Sequence, residues 1–109
     1  MRVSGIDPIE YERFVAYWLA RNGFYRIQRT RATGDYGADI IAERTGYKYV
    51  IQCKYYSRPV GYHAVEEVLG ALHYYKAHGA LIVTNSTFTR QAKDGAQKTG
   101  VLLFEKIIC

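Results

Sequence analysis

Apolar residues recur along this chain with two periods, and the switches between them mark its elements. Phe14, Val15, Trp18 and Leu19 repeat at helical spacing. Asp7-Pro8-Ile9-Glu10 supplies the start of that helix: Asp7 is the N-cap, Pro8 takes the first helical position, and Glu10 can close a capping box. Gly23 ends it. Phe24 to Thr30 reads as a strand, and a loop containing Gly34 and Gly37 follows. A hairpin is predicted over Asp39–Arg44 and Tyr47–Tyr56, and Pro59 and Gly61 mark a connection. Val65, Val68, Leu69 and Leu72 stripe a second helix that stops before Gly79. Ala80-Leu81-Ile82-Val83-Thr84 is a continuous apolar run, as in a strand buried on both faces. Thr87 or Thr89 can cap a third helix, Gly100 ends it, and Val101–Phe104 is a last short strand. The order is α-β-β-β-α-β-α-β. An antiparallel start followed by crossover helices gives an α/β fold with a mixed sheet flanked by helices.

The hairpin carries the chemistry. With Thr45-Gly46 as a two-residue loop, Arg44 faces Tyr47, Glu43 faces Lys48, and Asp39 falls opposite Gln52. Side chains alternate along a strand, so Lys54 joins Asp39 and Gln52 on one face. A carboxylate, an amide oxygen and an ammonium then converge at one end of a sheet, an arrangement suited to a divalent metal beside a water and a phosphate. Cys53 points to the opposite face, into the core. Taken singly, Lys54 reads first as a solvated strand lysine and Gln52 as a polar face residue, while Glu12 reads equally as a helix-surface glutamate.

Composition narrows the setting. At 109 residues the chain is read as a single domain, 1–109. Its hydrophobic content of 49% with mixed charge excludes a disordered chain. A net charge of +5 points to a polyanionic partner. Eleven tyrosines suit half-buried strands and interfaces, and their rings can also stack on bases. Two cysteines make no disulfide framework, so a reduced, cytoplasmic setting is expected. No apolar run approaches the roughly 20 residues that span a bilayer, and no membrane association is expected. His63, His73 and His78 lack metal-ligand spacing and read as surface or partner-facing residues.

Nearly the whole chain resembles the catalytic domain of the Mrr-type restriction endonucleases, within the PD-(D/E)xK nuclease superfamily. The resemblance rests on Tyr11-Glu12-Arg13-Phe14-Val15-Ala16, on Gly34-Asp35-Tyr36-Gly37-Ala38-Asp39-Ile40-Ile41 and on Ile51-Gln52-Cys53-Lys54. It continues through Arg58-Pro59-Val60-Gly61 and Phe88-Thr89-Arg90-Gln91-Ala92. It implies a restriction-endonuclease-like fold and a Mg²⁺-dependent DNA endonuclease, with Mn²⁺ able to substitute. Asp39 matches the metal-binding aspartate, and Gln52 matches a position often glutamine in this branch. Lys54 matches the lysine that positions or activates the attacking water. Glu12 matches the first-helix glutamate that reaches toward the metal, and the Cys53 carbonyl commonly completes the metal shell. Asp35 matches a frequent family aspartate, for which an Asx-type turn contact is the simplest explanation; it is grouped with Arg26, Arg29 and Arg31 as facing DNA.

The resemblance also implies a homodimer, because one active site cuts one strand. The helix from Tyr62 to His78 is the candidate interface, with Tyr62, His73, Tyr74 and Tyr75; the alternative is that these rings pack on their own sheet. Two other functions stay open: a structure-specific Holliday junction resolvase of the same fold, and a non-catalytic DNA-binding or dimerisation module. Glu at the Gln52 position in most such resolvases counts against the first, and the intact Asp39–Lys54 set against the second.

Overall fold

The computed structural model describes residues 6–30 and 36–109. Eight elements follow in the order expected: α1 (Pro8–Arg21), β1 (Tyr25–Arg29), β2 (Ile40–Arg44), β3 (Tyr47–Lys54), α2 (Tyr62–Tyr74), β4 (Gly79–Thr84), α3 (Arg90–Thr99) and β5 (Leu102–Phe104). The strands form one sheet in the order β1-β2-β3-β4-β5. The first three are antiparallel, and β3, β4 and β5 are parallel, joined by the helical crossovers α2 and α3.

Local chemistry accounts for most boundaries. Asp7 accepts from the Glu10 N–H at 2.8 Å and Glu10 accepts from the Asp7 N–H at 3.1 Å, which completes the capping box. Of the two threonines that could cap α3, Thr89 does so, accepting from the Ala92 N–H, and Gly100 closes the helix at φ 83°. The β2–β3 pairing runs from Arg44↔Tyr47 to Ile40↔Ile51, the register that a Thr45-Gly46 loop requires. Both loop residues lie at positive φ, 51° and 85°, as a type I′ turn demands. In β1 a bulge between Tyr25 and Gln28 contains Arg26 at φ 51°.

The sheet separates two cores. On one face Tyr11, Val15 and Leu19 of α1 pack on Ile40, Ala42, Ile51, Leu81 and Val83. On the other, Val65, Val68 and Ala71 of α2 and Ala92 and Ala96 of α3 pack on Val50, Ala80 and Ile82. Strand β4 lies between them and is buried from Ala80 to Thr84, which explains its unbroken apolar run. Tyr11 is buried among apolar groups, yet its hydroxyl donates to the Ile107 carbonyl at 2.7 Å, so the C-terminal segment is tied back over α1. Burial, with smaller contributions from Cys53, Cys109 and Tyr55, pushes the Tyr11 phenol far above its ordinary pKa. No described helix is long and apolar enough to cross a membrane.

Several boundaries differ from the sequence reading: β1 and β5 are each shorter than expected, at Tyr25–Arg29 and Leu102–Phe104. The hairpin's first strand begins at Ile40, so Asp39 stands just outside it. The second strand ends at Lys54, not Tyr56, because Asn85 takes over the Tyr56 backbone (below). Helix α2 ends at Tyr74, where the Tyr75 N–H closes on the Ala71 carbonyl.

Candidate active site

The C-terminal end of β3 and the loop entering β2 meet at the sheet's rim. Asp39 is held from three directions. Its N–H donates to the Ile51 carbonyl at 2.9 Å, and its carbonyl accepts from the Thr30 N–H at 2.9 Å. Its Oδ2 accepts from the Cys53 N–H at 2.8 Å. The carboxylate thus takes the place that a backbone carbonyl would occupy in a continued ladder. In an extended strand a residue's N–H and C=O share one side, so the Cys53 carbonyl lies on the Asp39 side. The chain leaves the ladder because Tyr36 and Gly37, at φ 54° and 88°, turn it away.

Gln52 and Lys54 point toward α2. The Gln52 Nε2 donates to the Gly37 carbonyl at 3.1 Å and to Glu67 Oε1 at 3.4 Å. Its Oε1 is buried and has no hydrogen-bond partner among the described residues. Lys54 Nζ pairs with Glu67 Oε1 at 3.2 Å, and its ammonium also lies over the Tyr56 ring. Burial pulls the Lys54 pKa down, but the Glu67 charge and Tyr56 more than offset it, so the net shift is upward from 10.5. Lys54 is therefore a firm cation at neutral pH.

On the α1 side, Glu12 Oε1 accepts from Arg29 Nε at 2.8 Å, and only a fifth of its side chain is exposed. Cys53 sits half-buried on this face. Burial raises its thiol pKa, Asp39 and Glu12 raise it further, and Arg29 opposes them. Those three charges therefore gather around Cys53, while Gln52, Lys54 and Glu67 gather on the α2 side. Asp39 joins the first group through its bond from the Cys53 N–H. Arg26 forms an exposed pair with Glu43 at 3.4 Å. Asp35 and Arg31 lie outside the described residues.

Several residues that build the site carried no signal in the sequence. Asn85 grips the Tyr56 backbone twice, Oδ1 accepting from its N–H and Nδ2 donating to its carbonyl, each at 2.8 Å. Thr84 Oγ1 donates to the Lys54 carbonyl at 2.6 Å. Together they set the backbone on both sides of Tyr55. Glu67 lies on α2, outside the apolar stripe that marks that helix in the sequence. A carboxylate two turns into a helix looks solvated until the packing of that helix is known.

Among the described residues no three His, Cys, Asp or Glu side chains gather as a metal cluster. The oxygen donors at this end of the sheet are the Asp39 carboxylate, the buried Gln52 Oε1 and the Cys53 carbonyl. A hard divalent cation such as Mg²⁺ takes such a set and keeps several waters of its own. A buried acceptor with no partner costs about 1–3 kcal/mol, so the unfilled Gln52 Oε1 fits a ligand role.

A rim of this kind on a five-stranded mixed sheet is that of a restriction-endonuclease-like domain. The family model of the Mrr catalytic domain, described as a restriction endonuclease, matches residues 3–106, and the chain belongs to that nuclease family. It is 34% identical to the type IV methyl-directed restriction enzyme EcoKMrr of Escherichia coli strain K12, over 92% of this chain and 36% of that enzyme. The chain thus spans about a third of the length of that relative. Among solved structures it is similar to AF1548, a protein of unknown function, at 25% identity and TM-score 0.72, over 86% of this chain and 55% of that one. It shares the fold of the DNA modification-dependent restriction endonuclease AspBHI at 21% identity and TM-score 0.77, over 92% of this chain and 29% of that one. It also shares the fold of MspJI, solved with a 27-mer oligonucleotide, at 22% identity and TM-score 0.64, over 91% and 25% of the two chains.

Proposed function

We propose that this chain is a Mg²⁺-dependent DNA endonuclease, with Mn²⁺ able to substitute, that hydrolyses phosphodiester bonds at the rim formed by Asp39, Gln52 and Lys54. The observation that carries the reading is the buried Gln52 Oε1, without a partner among the described residues, at the end of the sheet that also carries the Asp39 carboxylate and the Lys54 ammonium. Asp39, Gln52 Oε1 and the Cys53 carbonyl would hold the cation. When bound, it supplies Lewis-acid stabilisation of charge at the phosphate and a more acidic water. Lys54 contributes N–H donors and a full positive charge to a phosphate oxygen or the attacking water. Its raised pKa suits that role and not the role of a base. Glu12, held by Arg29, would reach toward the metal from the α1 side directly or through water.

Arg26, Arg29, Arg31 and Asp35 are proposed to face the DNA. Cutting both strands takes two copies, and α2 is the proposed contact. Tyr62 and Tyr74 remain 42% and 55% exposed on it, whereas Tyr75 packs against the core. A reduced, cytoplasmic setting suits its two free cysteines.

The test is incubation with supercoiled plasmid, linear duplex and a four-way junction, each with Mg²⁺ or EDTA. Cleavage of plasmid and duplex with Mg²⁺ alone is expected. Cutting confined to the junction would mark a resolvase, and binding without cutting a non-catalytic module. Sedimentation with and without DNA tests the pairing, and a lone ~12.5 kDa species in both would exclude it.

A further inference from the structure

We infer that Glu67 is the positioning residue of this rim: it fixes which way the Gln52 amide faces and where the Lys54 ammonium stands, an assignment that rests on the site proposed above. The argument begins with the amide. Its Nε2 carries two hydrogens and faces two acceptors, the Gly37 carbonyl at 3.1 Å and Glu67 Oε1 at 3.4 Å. Turning the amide over would set Oε1 against both acceptors and forfeit both bonds. Only one orientation survives, and it leaves Oε1 buried with no donor to accept from among the described residues.

The same Glu67 oxygen takes one N–H of Lys54 at 3.2 Å. Its second oxygen faces His63 Nε2 at 3.6 Å. The Glu67 backbone contributes as well. A Cβ on Gly37 would lie 2.2 Å from the Glu67 carbonyl oxygen, so the loop leading to Asp39 rests directly on this turn of α2. The turn cannot drift, because Val65 and Val68 on either side of it are fully buried. One helix residue thereby sets the register of Gln52, Lys54 and the Asp39 loop. Glu67 is not itself assigned to the cation, since its Oε1 is already committed to two donors.

The test uses the full chain as Glu67→Ala and Glu67→Gln. The first measurement needs neither metal nor DNA: the side-chain amide resonances and proton exchange of Gln52 by ¹⁵N-edited NMR. In Glu67→Ala one amide proton should shift upfield and exchange faster, while Glu67→Gln, which keeps an acceptor oxygen, should restore most of the wild-type signal. The second measurement is plasmid cleavage with Mg²⁺. Glu67→Ala should lower kcat about tenfold, the effect of losing one such hydrogen bond. Its Kd for DNA should change less than twofold, and Glu67→Gln should recover most of the rate.

An unchanged Gln52 amide in Glu67→Ala overturns the inference, as does a released amide with an unchanged kcat. If the wild type cuts no DNA, the nuclease reading fails, and the amide measurement still decides whether Glu67 orients Gln52. Glu67 is about one-third exposed, so Glu67→Ala is expected to fold. Should it not, Glu67→Met, of similar length and without an acceptor oxygen, goes through the same two measurements.

Discussion

Replacing Gly37 with alanine isolates the contact between the Asp39 loop and α2. Gly37 and Gly46 both lie in the left-handed region, at φ 88° and 85°, so alanine meets the same backbone strain at either position. That strain is worth about 1–2 kcal/mol. The loss of unfolded-state freedom is likewise common to both substitutions. The surroundings differ. At Gly46 a Cβ meets nothing within 4 Å, whereas at Gly37 it falls 2.2 Å from the Glu67 carbonyl oxygen and 3.0 Å from its carbon. Both atoms are backbone, so relief requires moving the loop or the helix, at about 1–3 kcal/mol. Moving the loop also strains the Gly37 carbonyl–Gln52 bond, worth about 1 kcal/mol. Gly46→Ala should therefore cost about 1–2 kcal/mol and Gly37→Ala about 3–5 kcal/mol. Urea unfolding of both variants against the wild type measures the difference directly. Equal losses, within about 0.5 kcal/mol, would refute the claim that the Asp39 loop is seated on α2.

Further outcomes follow from the same contacts. Lys54→Ala should abolish cleavage while retaining DNA binding in a gel-shift assay, since many phosphate contacts supply most of the affinity. Asp39→Asn should also abolish cleavage but unfold at nearly the wild-type denaturant concentration, because its amide oxygen can still accept from the Cys53 N–H; Asp39→Ala should lose about 1–3 kcal/mol besides. Thr45→Asn should stabilise the fold by about 0.5–1 kcal/mol in urea titrations, because Asn tolerates positive φ in a type I′ turn and a β-branched residue does not. Asn85→Ala leaves both Tyr56 backbone groups unpaired and should cost about 2–4 kcal/mol in the same measurement, with faster amide exchange at Tyr56. The Lys54 pKa is raised on folding, so the Glu67 pair contributes fully below the ordinary value of 10.5 and is lost only as pH rises through the folded value. The stability difference between wild type and Lys54→Met should accordingly stay flat from about pH 7 to 9 and shrink only in more alkaline solution.

The amino-acid sequence by itself determined the elements, their order and the hairpin register. These follow from local rules: the Asp7–Glu10 capping box starts α1, the Thr45-Gly46 turn sets every pair from Arg44↔Tyr47 to Ile40↔Ile51, and an apolar run marks the doubly buried β4. Each is decided by residues close in sequence, where backbone geometry leaves few options. The residues of the rim were legible for the same reason, since one turn brings Asp39 near the end of β3.

Tertiary structure decided what each of those side chains does. Asp39 caps the Cys53 N–H, Arg29 claims Glu12, and Glu67 reaches both Gln52 and Lys54. Asn85 ends β3 by substituting for a strand partner at Tyr56. All of these depend on how α1, α2 and the end of β4 lie against the sheet, and periodicity gives only the buried stripe of a helix, not the polar residue at its margin that will meet the rim. Turns and strand pairs are governed by neighbours along the chain, whereas the placement of Glu67 is governed by the packing of Val65 and Val68 into a core that exists only once the sheet has formed.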